Sequence, residues 1–234
     1  MDVILVPGLW LDASSWQRVT PALQAAGHTV RPLTMPGVGA PPAQSADIGI
    51  ADWVDAVVAE VDRSAGPVVL VGHSGGGNVV YGAVDTRPER VARVIFLDTF
   101  PPTDGGTISE FPVVDGVVPF PGWDFFDDSD VADLDDATRA DVAVAAVPAR
   151  VPTDPLPLRD ERRRRVPATM LVSTVLAEEV REYLHQRPAW LAEAAALERL
   201  DTVDLRRPDE PGGHWPQLTR PDAVAAAIVA AIGD

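Results

Sequence analysis

The sequence predicts an α/β fold: a doubly wound, mainly parallel six-stranded sheet with an insertion after the fourth strand. Three observations carry this prediction. Short branched apolar runs alternate with helical patterns, the order that right-handed crossovers turn into a parallel sheet. The runs hold almost no polar residue before their C-terminal ends, as strands covered on both faces do. One of them, Val68–Gly72, leads straight through a glycine-crowded turn into a helical pattern.

The elements follow in order. Val3–Val6 reads as a buried strand. Asp12 to Ala26 reads as one helix, with Trp16, Val19 and Leu23 on its apolar side and Gly27 as its stop. Thr29–Leu33 is the second strand, and Pro36-Gly37 and Pro41-Pro42 mark a loop. Ile50 to Asp62 is amphipathic, with Trp53, Val54, Val57, Val58 and Val61 sharing a face. Val68–Gly72 is the third strand and Gly75–Thr86 the helix behind it. Val94–Asp98, Ala168–Ser173 and Thr202–Leu205 complete the sheet. Pro221 to Ile232 is the last helix, with Pro221 in its first turn.

Between residues 101 and 165 the rhythm stops. The stretch is rich in Pro, Asp and aromatics, with helical character only over Asp133–Ala146. A structureless loop of this length is uncommon in a compact domain. It reads as a lid lying over the C-terminal ends of the strands, with residues 1–100 and 166–234 as the core. The run Arg162–Arg165 reads as a solvated patch at its return.

Composition narrows the function. The 234 residues suffice for one sizeable domain. A net charge of −16 argues against a nucleic-acid partner, whose phosphates call for a basic face, and against anionic membrane surfaces. There is no Cys, hence no thiolate nucleophile and no Cys metal site. All 19 basic residues are Arg, so chemistry that needs Lys, a Walker phosphate loop or a Schiff base, is excluded. The N-terminus has no basic n-region, and the apolar C-terminal stretch is too short to span a membrane. These features point to a cytoplasmic protein and leave its oligomeric state open.

Gly72-His73-Ser74-Gly75-Gly76 satisfies G-x-S-x-G, and its strand–turn–helix context is the one that gives the pattern meaning. A serine held there needs a general base. His28 begins a strand, His73 lies inside the turn with its side chain directed away from Ser74, and His185 sits in an Arg/Glu-rich helical stretch. His214 follows two glycines between the last strand and the last helix, and is the candidate base. The acid that orients it should stand at a strand C-terminus: Asp98 ends the fourth strand, with Glu178 and Glu179 as the alternative. Backbone N–H groups of Gly75 and Leu9 are the candidate oxyanion donors. In the strand order 2-1-3-4-5-6 the first and third strands flank the switch point, so their loops converge. Trp10, Phe100, Trp123, Phe125 and Phe126 are candidate pocket walls.

These residues resemble the α/β-hydrolase superfamily, particularly the small single-domain members that include plant methyl esterases and hydroxynitrile lyases. The resemblance runs from "ILVPGLW" through "GHSGGG" to "GGHWPQLTRP". It departs in three places. Pro7 stands where the family usually has His before the oxyanion loop's glycine. The family's commonest acid position, after the strand ending at Ser173, has no acid at its tip, and Asp98 matches the arrangement of members that carry the acid one strand earlier. The Lys that such lyases carry near the catalytic His is absent, because Trp215 follows His214. The resemblance implies a serine hydrolase that cleaves a carboxylic ester or lactone of a small-molecule, partly apolar substrate through Ser74, His214 and Asp98, with no cofactor or metal. A thioesterase or tailoring enzyme on an acyl or secondary-metabolite substrate, and a non-catalytic ligand-binding protein on the same fold, are the alternatives.

Overall fold

The computed structural model describes residues 1–233. Its main sheet is built from β1 (Asp2–Val6), β2 (Thr29–Pro32), β3 (Val68–His73), β4 (Val91–Leu97), β7 (Ala168–Val172) and β8 (Leu200–Asp204). A separate two-stranded antiparallel ribbon joins β5 (Val117–Val118) to β6 (Val147–Pro148). The main sheet has the order β2-β1-β3-β4-β7-β8, and every pairing in it is parallel.

Alternation along each strand sorts the core into two layers. Ile4, Val6, Val68, Leu70, Val94, Phe96 and Met170 face one side and pack with α3 (Ile50–Arg63) and α4 (Gly75–Thr86). Val3, Leu5, Val69, Val71, Ile95, Leu97 and Leu171 face the other and pack with Trp16, Leu23, Val224 and Ile228, the last two on α9 (Pro221–Gly233). Sheet strands covered on both faces must be apolar on both, which is why β1 and β3 carry no polar residue between their ends. Chain reversal occurs between β1 and β3, whose C-terminal ends flank the switch point.

Two helices differ from the sequence expectation. The single helix expected over Asp12–Ala26 is split into a 3₁₀ turn at Ala13–Trp16 and α1 (Thr20–Ala25). The Asp12 carboxylate caps the turn by accepting from the Ser14 N–H at 2.8 Å, and Pro21 in the first turn of α1 has no N–H to continue an upstream ladder. The helix expected over Asp133–Ala146 is only α5 (Asp136–Asp141), capped by Asp135. Beyond it, the Ala145 N–H donates to the Trp10 carbonyl and Val147 pairs with β5, so tertiary hydrogen bonds displace the helix.

The chain between β4 and β7 carries its own buried apolar residues, Val118, Leu134, Val147, Val151, Leu156 and Leu158. Its return is fixed by charge. The Arg162–Arg165 run is only partly a solvated patch, because Arg163 is buried and donates to Glu193 on α7 (Ala192–Ala196) at 2.8 Å. Tyr81 on α4 donates to the same carboxylate at 2.6 Å. The remaining elements are α2 (Pro42–Ser45), α6 (Ala177–Gln186) after β7, and α8 (Pro216–Thr219) before α9. No helix among the described residues is long and apolar enough to cross a membrane.

Candidate active site

Ser74 stands between β3 and α4 with φ 51° and ψ −127°. That conformation is uncommon for a residue with a Cβ and costs on the order of 1–3 kcal/mol. Neighbouring glycines make room for it. A Cβ on Gly76 would lie 2.5 Å from the Pro7 carbonyl oxygen, and one on Gly72 would strike the Gly76 carbonyl. Ser74 also donates its N–H to the Leu97 carbonyl at 3.2 Å and accepts from the Gly77 N–H at 2.8 Å. Its hydroxyl is therefore free of backbone work and sits at the positive end of α4.

The ring of His214 lies beside it. Ser74 Oγ donates to His214 Nε2 at 2.8 Å, and His214 Nδ1 donates to Asp98 Oδ2 at 2.8 Å. A carboxylate only accepts, so this geometry selects the Nδ1–H tautomer and leaves Nε2 as the acceptor for the serine proton. Asp98 follows β4 at φ 48°. It leans across to β7, where Oδ1 accepts from the Ser173 N–H at 2.8 Å and the Thr174 N–H at 3.0 Å. The Thr174 hydroxyl reaches both carboxylate oxygens at 3.1 Å. Burial pushes the Asp98 carboxyl's pKa up, but the His214 hydrogen bond and charge and the two N–H groups outweigh it and hold it below the usual carboxylate range. The strand that lacks an acid at its tip thus supplies donors for the acid of its neighbour. Glu179, by contrast, accepts from the Leu176 N–H as a cap of α6, and Glu178 lies on that helix's outer face.

The structure corrects the orientation expected for His73. Its buried ring turns towards the site, 5.1 Å from that of His214 between centroids, and Nε2 donates to the His214 carbonyl at 2.6 Å. Nδ1 has no partner, and a Cβ on Gly8 would lie 2.8 Å from it. Burial first, then the nearby His214, lowers its pKa to about 3. A neutral histidine therefore joins the turn to the His214 loop.

Leu9 and Gly75 meet at that loop: a Cβ on Gly75 would be 3.3 Å from Leu9 Cγ. Gly75 is the first residue of α4, so its N–H has no intrahelical acceptor. Trp10, next to Leu9, has φ 65°, so three of the five non-glycine residues with positive φ (Trp10, Ser74 and Asp98) cluster here.

A cavity of about 260 Å³ opens beside Ser74, at the small end for ligand sites. Leu9, Trp10, Ile108, Phe111, Phe126 and Trp215 form its apolar walls, and Ser109 and Asp130 add polar groups. Of the five aromatics expected there, Trp10 and Phe126 line it. The other three do not: Phe100 packs edge-on against Trp190, Trp123 against Trp215, and Phe125 is half exposed. Ile108, Phe111 and Asp130 carry no local signal, because their place depends on how the chain between β4 and β7 folds back. Among the described residues no three His, Asp or Glu side chains converge as a metal centre requires.

Comparison with known proteins bears on the family and the fold. The sequence pattern of the alpha/beta hydrolase family matches residues 3–227, and the chain belongs to that family. A probable esterase of rice (Oryza sativa subsp. indica), PIR7A, is 36% identical over 115 residues, covering 46% of this chain. That match spans 44% of the rice protein, less than half its length. Lipase LipV of Mycobacterium tuberculosis is 29% identical over 198 residues, 77% of this chain and 74% of that one. Among solved structures, an extracellular alpha/beta-hydrolase from a Paenibacillus species superposes with a TM-score of 0.75 at 19% identity over 99% of this chain and 98% of that one. The Arabidopsis methylesterase MES16 superposes with a TM-score of 0.73 at 21% identity over 100% and 99% of the two chains. At these identities the superpositions speak for the fold.

Proposed function

We propose that this chain is a serine hydrolase that cleaves a carboxylic ester or lactone of a small, partly apolar substrate. The observation that carries the proposal is the unbroken Ser74–His214–Asp98 relay at the edge of an apolar cavity. Relatives named as esterases support the same bond type. In the first half-reaction Ser74 Oγ attacks the ester carbonyl carbon and its proton passes to His214 Nε2. The N–H groups of Gly75 and Leu9 hold the resulting oxyanion. Collapse of the tetrahedral species breaks the carbon–alkoxide bond, and His214 returns the proton to the departing alcohol. Water then attacks the acyl-enzyme with His214 again as base, releasing the acid and restoring the Ser74 hydroxyl. Asp98 keeps the imidazole in the accepting tautomer and stabilises its protonated form.

The chain between β4 and β7 acts in this reading as the lid, because Ile108, Phe111, Phe126 and Asp130 all come from it. The test is Ser74→Ala, assayed with p-nitrophenyl butyrate and with a fluorophosphonate probe. Turnover should fall by at least about 10⁴-fold, and labelling should vanish. A variant that keeps its rate ends the proposal.

A further inference from the structure

One carboxylate in the cavity has no part in the relay. Asp130 is partly buried and lines the cavity together with Trp10, Phe111, Phe126 and Trp215. Its backbone is fixed at both ends: the N–H donates to the Asp127 carbonyl at 2.9 Å, and the carbonyl accepts the His214 N–H at 2.8 Å. Its carboxylate has no hydrogen-bond donor or arginine against it among the described residues. Three nearby acids are otherwise employed. Asp98 is held by four hydrogen-bonding groups, Asp133 accepts from Thr219 and pairs with Arg220, and Asp135 caps α5. Burial raises the Asp130 carboxyl's pKa; the nearby His214 works against this, and Asp127 and Asp98 add to it. The segment from Asp124 to Asp136 holds seven aspartates and no base, so the chain that carries Asp130 is locally acidic.

We infer that Asp130 and the aromatic walls around it form a cation-accepting subsite, and that the preferred ester carries an alkylammonium group beside its reacting carbonyl. The ring faces attract a quaternary or alkylated ammonium while burying its apolar surface, and the carboxylate supplies the countercharge. An ester with a carboxylate in that place meets Asp130 as a like charge in a half-desolvated pocket and is disfavoured. The inference rests on the ester-hydrolase reading, and its experiment separates the two.

Two pairs of isosteric butyl-sized esters differ only in charge. Choline butyrate is matched by 3,3-dimethylbutyl butyrate, which puts the cation on the alcohol side. Butyl 4-(trimethylammonio)butyrate is matched by butyl 5,5-dimethylhexanoate, which puts it on the acyl side. In at least one pair the cationic ester should have the higher kcat/KM, by about three- to tenfold, as expected of a partly solvated ion pair. In Asp130→Asn the ratio within that pair should fall to about one. Any effect of Asp130 on His214 is common to both members and cancels in the ratio. Equal rates within both pairs, or a preference that survives Asp130→Asn, overturns the subsite. Binding of the same esters to Ser74→Ala, measured by calorimetry, needs no turnover. A binding preference there that is lost in Ser74→Ala/Asp130→Asn supports the subsite even where the wild-type protein hydrolyses none of them, an outcome that removes the hydrolase reading alone.

Discussion

The Ser74 hydroxyl is accessible because its neighbours are small, and the His214 ring faces it because Asp98 holds the far side of that ring. The carboxylate accepts from His214 and from the tip of β7 at once, and an amide cannot do the same. In Asp98→Asn one amide face must present N–H groups either to the Ser173 and Thr174 N–H donors or to His214 Nδ1. The second choice reverses the tautomer and takes the lone pair away from Ser74. We expect kcat for p-nitrophenyl butyrate to fall by about 10³–10⁴-fold; a loss below tenfold sinks the assignment of the acid. Ser74 and His214 could be read in the sequence because each is announced by adjacent glycines. Asp98 could be read as a strand-end acid, but the groups that hold it could not, since Ser173 lies 75 residues further along. His73 was misread for a related reason: its direction depends on where the His214 loop passes, a fact of tertiary packing that no neighbouring residue records.

The strands were the readable elements, since burial on both faces writes a continuous apolar run whatever the partner strand. Helices near the insertion were less so, because Asp12 and Asp135 caps and the β5–β6 ribbon compete with helical periodicity and win locally. The Arg162–Arg165 run gives the same lesson. Four adjacent arginines suggest solvent, yet Arg163 closes a buried network that ties α4 to α7 through Glu193. Arg164 pairs with the same carboxylate at 3.0 Å. Removing one member of a buried pair leaves the other charge uncompensated, which costs about 3–5 kcal/mol. Arg163 keeps the Asp85 carboxylate at 3.2 Å, so Glu193→Leu should lower unfolding stability by the low end of that range, about 3 kcal/mol, read as a shift of the urea midpoint. An unchanged midpoint means that the arginines find other partners and that the network does not hold the return of the insertion in place.

The whole chain carries a charge of −16, so mild acidification relieves self-repulsion as carboxylates take up protons. A single buried histidine opposes this. His73 binds a proton near pH 6.5 when unfolded but only near pH 3 when folded, because burial disfavours its charged form. Between those values the unfolded state holds more protons, so this group makes stability rise with pH and fall as the solution is acidified below about pH 6.5. Its slope reaches about 1.4 kcal/mol per pH unit in the middle of the window. Asp98, lowered from its usual value, acts in the same direction but only below its unfolded pKa, where its hydrogen bonds to His214, Ser173 and Thr174 are lost as it protonates. The two contributions therefore separate on the pH axis. His73→Gln keeps an N–H that can reach the His214 carbonyl and removes the titration. Urea unfolding from pH 4 to 8 should give a shallower dependence for this variant between pH 4 and 6, with the difference from wild type disappearing above pH 7. Parallel curves across the whole range place the acid sensitivity elsewhere and leave His73 as a hydrogen-bond donor alone.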